Sequence, residues 1–182
     1  FTLGGSTQDM GILLSHTSTN YDALWGNEGG IFEVDPSNGN IIYWDPWCGN
    51  LHKTTSGSNA GGKEITNGIV PINDDKIPSV SALAVHPEDS NLLICSTAAP
   101  NDKYAIYRST DGGEEWQKVH EDTGSAITKF VWAPSHSYWI YGITKEGKVY
   151  RSTGLGTIWF QKSNTTLPAT RLYGLAVDWY DE

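Results

Sequence analysis

The chain has 182 residues and a mass of 19.9 kDa, room for one domain with its own core. Its 38% hydrophobic and 12% aromatic content excludes long disordered tracts, and 12 Lys+Arg against 21 Asp+Glu give a net charge of −9. That balance lacks the basic footprint that binds a phosphate backbone, so nucleic acid is not an expected partner. No apolar run approaches the roughly 18 residues of a membrane span, and no span is expected.

In chain order, residues 1–6 (FTLGGS) read as the second strand of a unit whose first strand is missing. Four stretches then align without gaps: 31–44 (IFEVDPSNGNIIYW), 82–96 (ALAVHPEDSNLLICS), 129–142 (KFVWAPSHSYWIYG) and 173–182 (YGLAVDWYDE). With Asp35, His86, Ala133 and Asp178 as equivalents, the intervals are 51, 47 and 45 residues. A period of about 40 to 50 residues built from alternating apolar runs and turns predicts blades of four strands, and no 3.6-residue period competes with it. In the third unit the strands are expected at 80–86, 91–97, 104–109 and 116–121. In the fourth they fall at 126–132, 138–143, 148–152 and 158–162. Residues 56–62 (SGSNAGG) read as a flexible loop in the longer second unit. Residues 175–178 look like a first strand whose second is missing, so two arrangements stay open. Either the two ends complete one blade between them, or the chain is a slice of a larger wheel. Phe1 and the single Met10 fit a processed or cut chain.

Residues 109–116 carry the pattern S-x-D-x-G-x-x-W in Ser109, Asp111, Gly113 and Trp116. An Asp here accepts hydrogen bonds from the amides of its own turn, Gly113 supplies positive φ, and Trp116 lids the hairpin. The pattern resembles the Asp box of sialidase-like (BNR repeat) β-propellers. Residues 152–159 repeat it through Ser152, Gly156 and Trp159 with Gly154 in place of the Asp, which predicts a hairpin that is looser or held by other contacts. Residues 4–11 (GGSTQDMG) are similar to the GG-x-QDNG stretch of the sortilin-like and xyloglucan-hydrolase-like branch, with one inserted residue and Met10 in place of Asn. Residues 26–30 (GNEGG), Val34-Asp35-Pro36 and Asn40-Ile41-Ile42-Tyr43 are similar to that branch's GGDGG…DP-x-NPN-x-x-Y run. The resemblance implies an all-β propeller of four-stranded antiparallel blades, about four in this chain. Blade 1 would span 1–28 completed by 173–182, blade 2 29–78, blade 3 79–124 and blade 4 125–172.

The resemblance also puts the Asp box on one side of the wheel and the ligand face on the other. That face would be built from loops bearing Asp9, Glu28, Asp45, Asp74, Asp75, Asp102, Glu121 and Asp122. Asp9, Glu28 and Asp45 are the candidate carboxylates of a glycoside hydrolase, against the plain reading that Asp favours turns. Trp44, Asp45 and Trp47, with Trp25, Gln8, Asp9 and Asn27 nearby, are the candidate sugar-binding residues, since sugar rings stack on exposed aromatics. Trp116, Trp132, Trp139 and Trp159 read as wedge fillers between blades. Sialidase chemistry needs an arginine cluster, whereas the three arginines are Arg108, Arg151 and Arg171, the first two on the box side.

The five histidines, His16, His52, His86, His120 and His136, lack metal spacing, so no metal site is expected. Asp74-Asp75 with Asp102 or Asp122 offers oxygen ligands for Ca²⁺ without calcium-loop spacing, and no cofactor is expected. Cys48 and Cys95 do not make a disulfide scaffold. Asn164 opens a glycosylation sequon, a hint of an extracellular or cell-surface location. The expected function is an extracellular binding or assembly module for a carbohydrate or protein ligand. The alternatives are a xyloglucan-type glycoside hydrolase and a structural subunit, a homo-oligomer paired through strand edges.

Overall fold

The computed structural model describes residues 3–7, 9, 11–15, 22–25, 29–46, 50–58, 62–70, 80–99, 103–163 and 174–178. They form fifteen strands in four antiparallel sheets, each a simple meander. Sheet one has β1 (Leu3–Thr7), β2 (Gly11–Ser15) and β3 (Asp22–Trp25). Sheet two has β4 (Gly29–Val34), β5 (Ile42–Pro46), β6 (His52–Thr54) and β7 (Lys63–Glu64). Sheet three has β8 (Val80–Val85), β9 (Leu93–Ala99), β10 (Lys103–Ser109) and β11 (Gln117–Thr123). Sheet four has β12 (Ile127–Trp132), β13 (Ile140–Thr144), β14 (Val149–Ser152) and β15 (Trp159–Gln161). The strands of sheets three and four overlap the ranges expected for the third and fourth units. Sheet one has three strands among the described residues, and residues 174–178 form neither helix nor strand.

Because successive side chains of a strand point to opposite faces, each inner sheet can be apolar on both and stack between two neighbours. Ile12 and Leu14 meet Ile42 and Trp44 between sheets one and two. Tyr43, Leu51 and Ile65 pack with Leu83, Leu93, Tyr107 and Trp116 between two and three. Ile94, Tyr104 and Ile106 pack with Ile127, Phe130, Tyr150 and Trp159 between three and four. Cys95 lies in the second of these layers with no exposed surface, and burial pushes its thiol pKa up. The first strands lie innermost: β4 packs on β8 and β8 on β12. Lys129 of β12 reaches Glu33 of β4, two sheets away, at 3.4 Å.

The turns between third and fourth strands close these layers. In sheet three the Ser109 hydroxyl donates to Asp111 Oδ1 at 2.7 Å and accepts the Gly113 amide at 2.8 Å, while Asp111 Oδ1 accepts the Glu115 amide at 3.0 Å. Gly112 and Gly113 take φ of 75° and 94°, and the Trp116 indole donates to the Ile65 carbonyl at 2.7 Å in sheet two. In sheet four Ser152 Oγ accepts the Gly156 amide at 3.1 Å. No carboxylate accepts amides in this turn; the Thr157 hydroxyl instead donates to the Gly154 carbonyl at 2.7 Å. That turn is held by other contacts rather than loosened. A third turn of this build is hidden in the stretch expected to be a flexible loop. Ser56 N donates to Thr54 Oγ1, Gly57 takes φ of 70°, and its amide donates to the Asn40 carbonyl at 2.9 Å. The Gly112 amide to the Asn91 carbonyl and the Leu155 amide to the Tyr138 carbonyl are the same bond in sheets three and four.

Two predictions follow from these turns. Gly156 combines φ of 81° with direct approach to Ile94, so a Cβ there is both strained and overpacked. Gly156→Ala is expected to lower stability by about 2–4 kcal/mol, whereas Gly5→Ala, with open space around it, is expected to hold or slightly raise it. Thermal melts of the two variants check this. Burial raises the Asp111 pKa, but the Ser109 hydroxyl and the Glu115 and Glu114 amides outweigh it and hold the carboxyl below its usual value. Its stabilising contribution is therefore complete above the unfolded carboxylate pKa and is lost as pH falls through the depressed folded value. Urea midpoints of the parent chain and Asp111→Asn should differ near neutrality and converge in acid.

Candidate functional site

At the end of the sheets opposite these turns, the β1–β2 turn, the start of β4 and the end of β5 come together. Gly29 opens β4 and pairs with Pro46, and a Cβ on it would meet the Gly11 carbonyl oxygen at 2.6 Å and Ser6 Cβ at 2.8 Å. A glycine is required here because the backbone of sheet one touches that of sheet two. The contact puts Asp9, in the β1–β2 turn, at the same end of the array as Asp45 and Pro46. Asp9 is exposed in a left-handed conformation, φ 68°, which Asp tolerates better than most residues.

Trp44 and Asp45 lie within β5 and not in a loop, and both are 2% exposed. The Trp44 ring stacks on His52 at 5.4 Å and 18° within the core layer of sheets one and two. This corrects its expected role as a sugar platform, because the alternation of β5 turns it inward. Its indole Nε1 is buried without a hydrogen-bond partner among the described residues, and so is Asn50 Oδ1. His52 Nδ1 donates to the Asn50 carbonyl at 2.6 Å, tying the start of β6 to the residue two positions before it. A buried donor and a buried acceptor left open at one sheet end are uncommon, because each unsatisfied group costs about 1–3 kcal/mol.

The same end of sheets three and four carries a second polar group. Tyr150 donates to Asp122 Oδ2 at 3.2 Å, Tyr104 Oη lies 3.4 Å from His120 Nε2, and the rings of Tyr104, His120 and Tyr150 stand 5.9 Å apart in each pair. The Thr123 amide, followed by the Tyr150 hydroxyl and Lys148, holds the Asp122 carboxyl below its usual range, and burial lowers His120. Glu121 pairs with Lys118 at 2.7 Å and Lys103 at 3.2 Å. Of the carboxylates expected on this face, Glu121 is thus paired with lysines and Asp122 with the Tyr150 hydroxyl.

Gln8, Asn27, Glu28, Trp47, Asp74, Asp75, Asp102 and Asn164 lie outside the described residues. The structure thus brings Asp9 and Asp45 to one end of adjacent sheets and leaves the other partners of that expectation undescribed. Sequence reasoning missed Asn50, whose only signal was its place just before a strand, and the Tyr104–His120–Asp122–Tyr150 group, which unites residues of two units. Among the described residues no three His, Cys, Asp or Glu side chains form a group able to hold a metal ion.

No family model and no curated protein matches the sequence. Solved structures do resemble it in fold. An ancestral GH74 enzyme superposes with a TM-score of 0.70 at 20% identity over 90% of this chain and 22% of its own length. A GH74 enzyme of Niastella koreensis gives 0.61 at 21% identity over 86% and 27%, and a GH74 xyloglucanase of Xanthomonas campestris gives 0.60 at 14% over 87% and 27%. The chain thus spans about a quarter of the length of these structures, and what it shares with them is the β-propeller fold.

Gly29→Ala tests the junction that builds this end. The added methyl meets backbone in sheet one and cannot be accommodated by a rotamer change, so a loss of about 1–3 kcal/mol is expected by thermal melt.

Proposed function

We propose that this chain is the carbohydrate-binding part of an extracellular β-propeller, and that the glycan is held where sheets one and two meet. The observation that carries the reading is that Trp44 Nε1 and Asn50 Oδ1 are each buried without a hydrogen-bond partner among the described residues, on the strand end that also holds Asp45 and lies against the β1–β2 turn of Asp9. A donor and an acceptor in fixed positions are what a polyhydroxylated ligand uses, since every hydroxyl both gives and takes a hydrogen bond. Gln8, Asn27 and Trp47, neighbours of these strands in sequence, are the further residues proposed for the ligand, with Trp47 in the stacking role that Trp44 does not fill. That one similar structure is a xyloglucanase makes xyloglucan the first glycan to try.

Retention on immobilised xyloglucan tests the reading. Asn50→Leu removes an unsatisfied acceptor, so its melting temperature is expected to hold or rise while retention falls at least ten-fold. Retention equal to that of the parent chain rejects the site. Trp47→Ala is expected to weaken retention without changing the melting temperature.

A second reading, hydrolysis of the same glycan, is favoured by the unlike surroundings of Asp9 and Asp45, one exposed and one buried. Carboxylates in different environments are the raw material of an acid and base pair. Release of reducing ends from xyloglucan by the parent chain, abolished in both Asp9→Asn and Asp45→Asn, is its expected signature. No release by the parent chain rejects it.

A further inference from the structure

Where sheets three and four meet, four side chains of different chemistry converge. His120 and Asp122 are two residues apart on β11 and so share a face, and Tyr104 of β10 stands directly opposite Asp122 on that face. Tyr150 comes from β14 of sheet four and packs in the same layer as Tyr104. Their polar atoms follow one another in space. His120 Nε2 lies 3.4 Å from Tyr104 Oη, the Tyr104 and Tyr150 hydroxyls are near enough to shift each other's proton affinity, and Tyr150 Oη lies 3.2 Å from Asp122 Oδ2.

These separations are close to those of ligands around one small ion. Neighbouring donors of an octahedron with bonds of about 2.0–2.1 Å stand about 3 Å apart, so side-chain shifts of a few tenths of an ångström bring each adjacent pair to ligand spacing. The group also has the outer support of a ligand set. The Thr123 amide donates to Asp122 Oδ1 at 2.7 Å and Lys148 Nζ donates to the Thr123 carbonyl at 3.3 Å, which holds the carboxylate with Oδ2 towards Tyr150. Tyr104 and Tyr150 are no more than 1% exposed, whereas His120 and Asp122 are half-buried and form the side of the group nearer to solvent.

We infer that Tyr104, His120, Asp122 and Tyr150 are the ligands of a ferric ion. The donor set selects the metal. Two phenolates and one carboxylate carry three negative charges, which a trivalent ion neutralises and a divalent ion does not. Mg²⁺ and Ca²⁺ bind oxygen and leave the imidazole unused, and Zn²⁺ favours His, Cys and carboxylate over phenols, whereas iron takes imidazole and tyrosine oxygen alike. In the metal-free chain burial, with the Asp122 charge added, keeps both phenols protonated, and a bound cation reverses that balance. As each Fe–O bond forms the Tyr O–H bond breaks, the two protons leave to water, and no electron is transferred. Four protein donors leave two positions of the octahedron for water or a small oxyanion, and the net charge of −9 favours the approach of a cation.

Titration of the chain with ferric citrate, followed by visible absorption and by iron content after gel filtration, tests the assignment. The expected result is one iron per chain with a phenolate-to-iron charge-transfer band, which iron held by carboxylate or imidazole alone does not give. Tyr104→Phe and Tyr150→Phe each remove one oxygen and keep the ring in its layer, so the metal-free melting temperature should stay close to the parent's while iron affinity falls at least ten-fold. Asp122→Asn is expected to act in the same direction, and Tyr138→Phe, at an exposed tyrosine outside the group, to leave band and affinity unchanged. Absence of the band in the parent chain, or a band that survives in Tyr150→Phe, overturns the site. Zn²⁺ that raises the melting temperature of the parent chain and of both tyrosine variants equally would mean a divalent site of His120 and Asp122 alone, and overturns the ferric assignment as well.

Discussion

Two β-sheets can stack face to face at about 10 Å through side chains alone, but here the turns must come closer than that. Gly113 lies against Ile65 and Gly156 against Ile94 at distances where a methyl group has no room, and Gly112 lies against the end of Lys53. The closeness permits a side-chain cation of one sheet to reach a backbone carbonyl of the next, and it requires a residue that accepts left-handed φ. Everything else in the array is arranged around that contact. The serine or threonine before each turn gathers its amides, the Trp116 indole bonds back to the Ile65 carbonyl, and the apolar layers fill the space that remains.

Much of this was legible in the amino-acid order. The alternation of LAVH and FVWA, the turn at a constant distance after it, and the serine before a glycine-rich turn fix the strands of sheets three and four within a few residues, because a period-two pattern with one buried face tolerates no slip. The turn at Thr54–Ser58 was not legible, since Thr replaces Ser and Ser56 occupies the place of Asp, leaving only the geometry of Gly57 to reveal it. The burial of Trp44 was also hidden. A tryptophan beside Asp and Pro looks like loop chemistry, yet β5 runs on to Pro46 and its pairing with His52 decides which way the ring turns.

The candidate site was legible in part for a related reason. Sequence order shows which residues sit near strand ends, and so Asp9, Asp45 and Asp122 were found. It does not show which side chains finish without a partner. That Trp44 Nε1 and Asn50 Oδ1 have no hydrogen-bond partner among the described residues is decided by packing, which the order of residues does not show. The Tyr104–His120–Asp122–Tyr150 group is of the same kind, for it exists only where sheets three and four meet.

The position of Cys95 has a consequence for watching the array come apart. Its thiol sits in the layer between sheets two and three with no exposed surface, and burial holds it in the protonated, unreactive form. A thiol reagent can reach it only after those two sheets separate. The rate at which Cys95 is alkylated under native conditions is therefore a clock for one junction, ticking independently of the far edges of the array, and it turns a residue with no chemistry of its own into a reporter of how often neighbouring blades breathe.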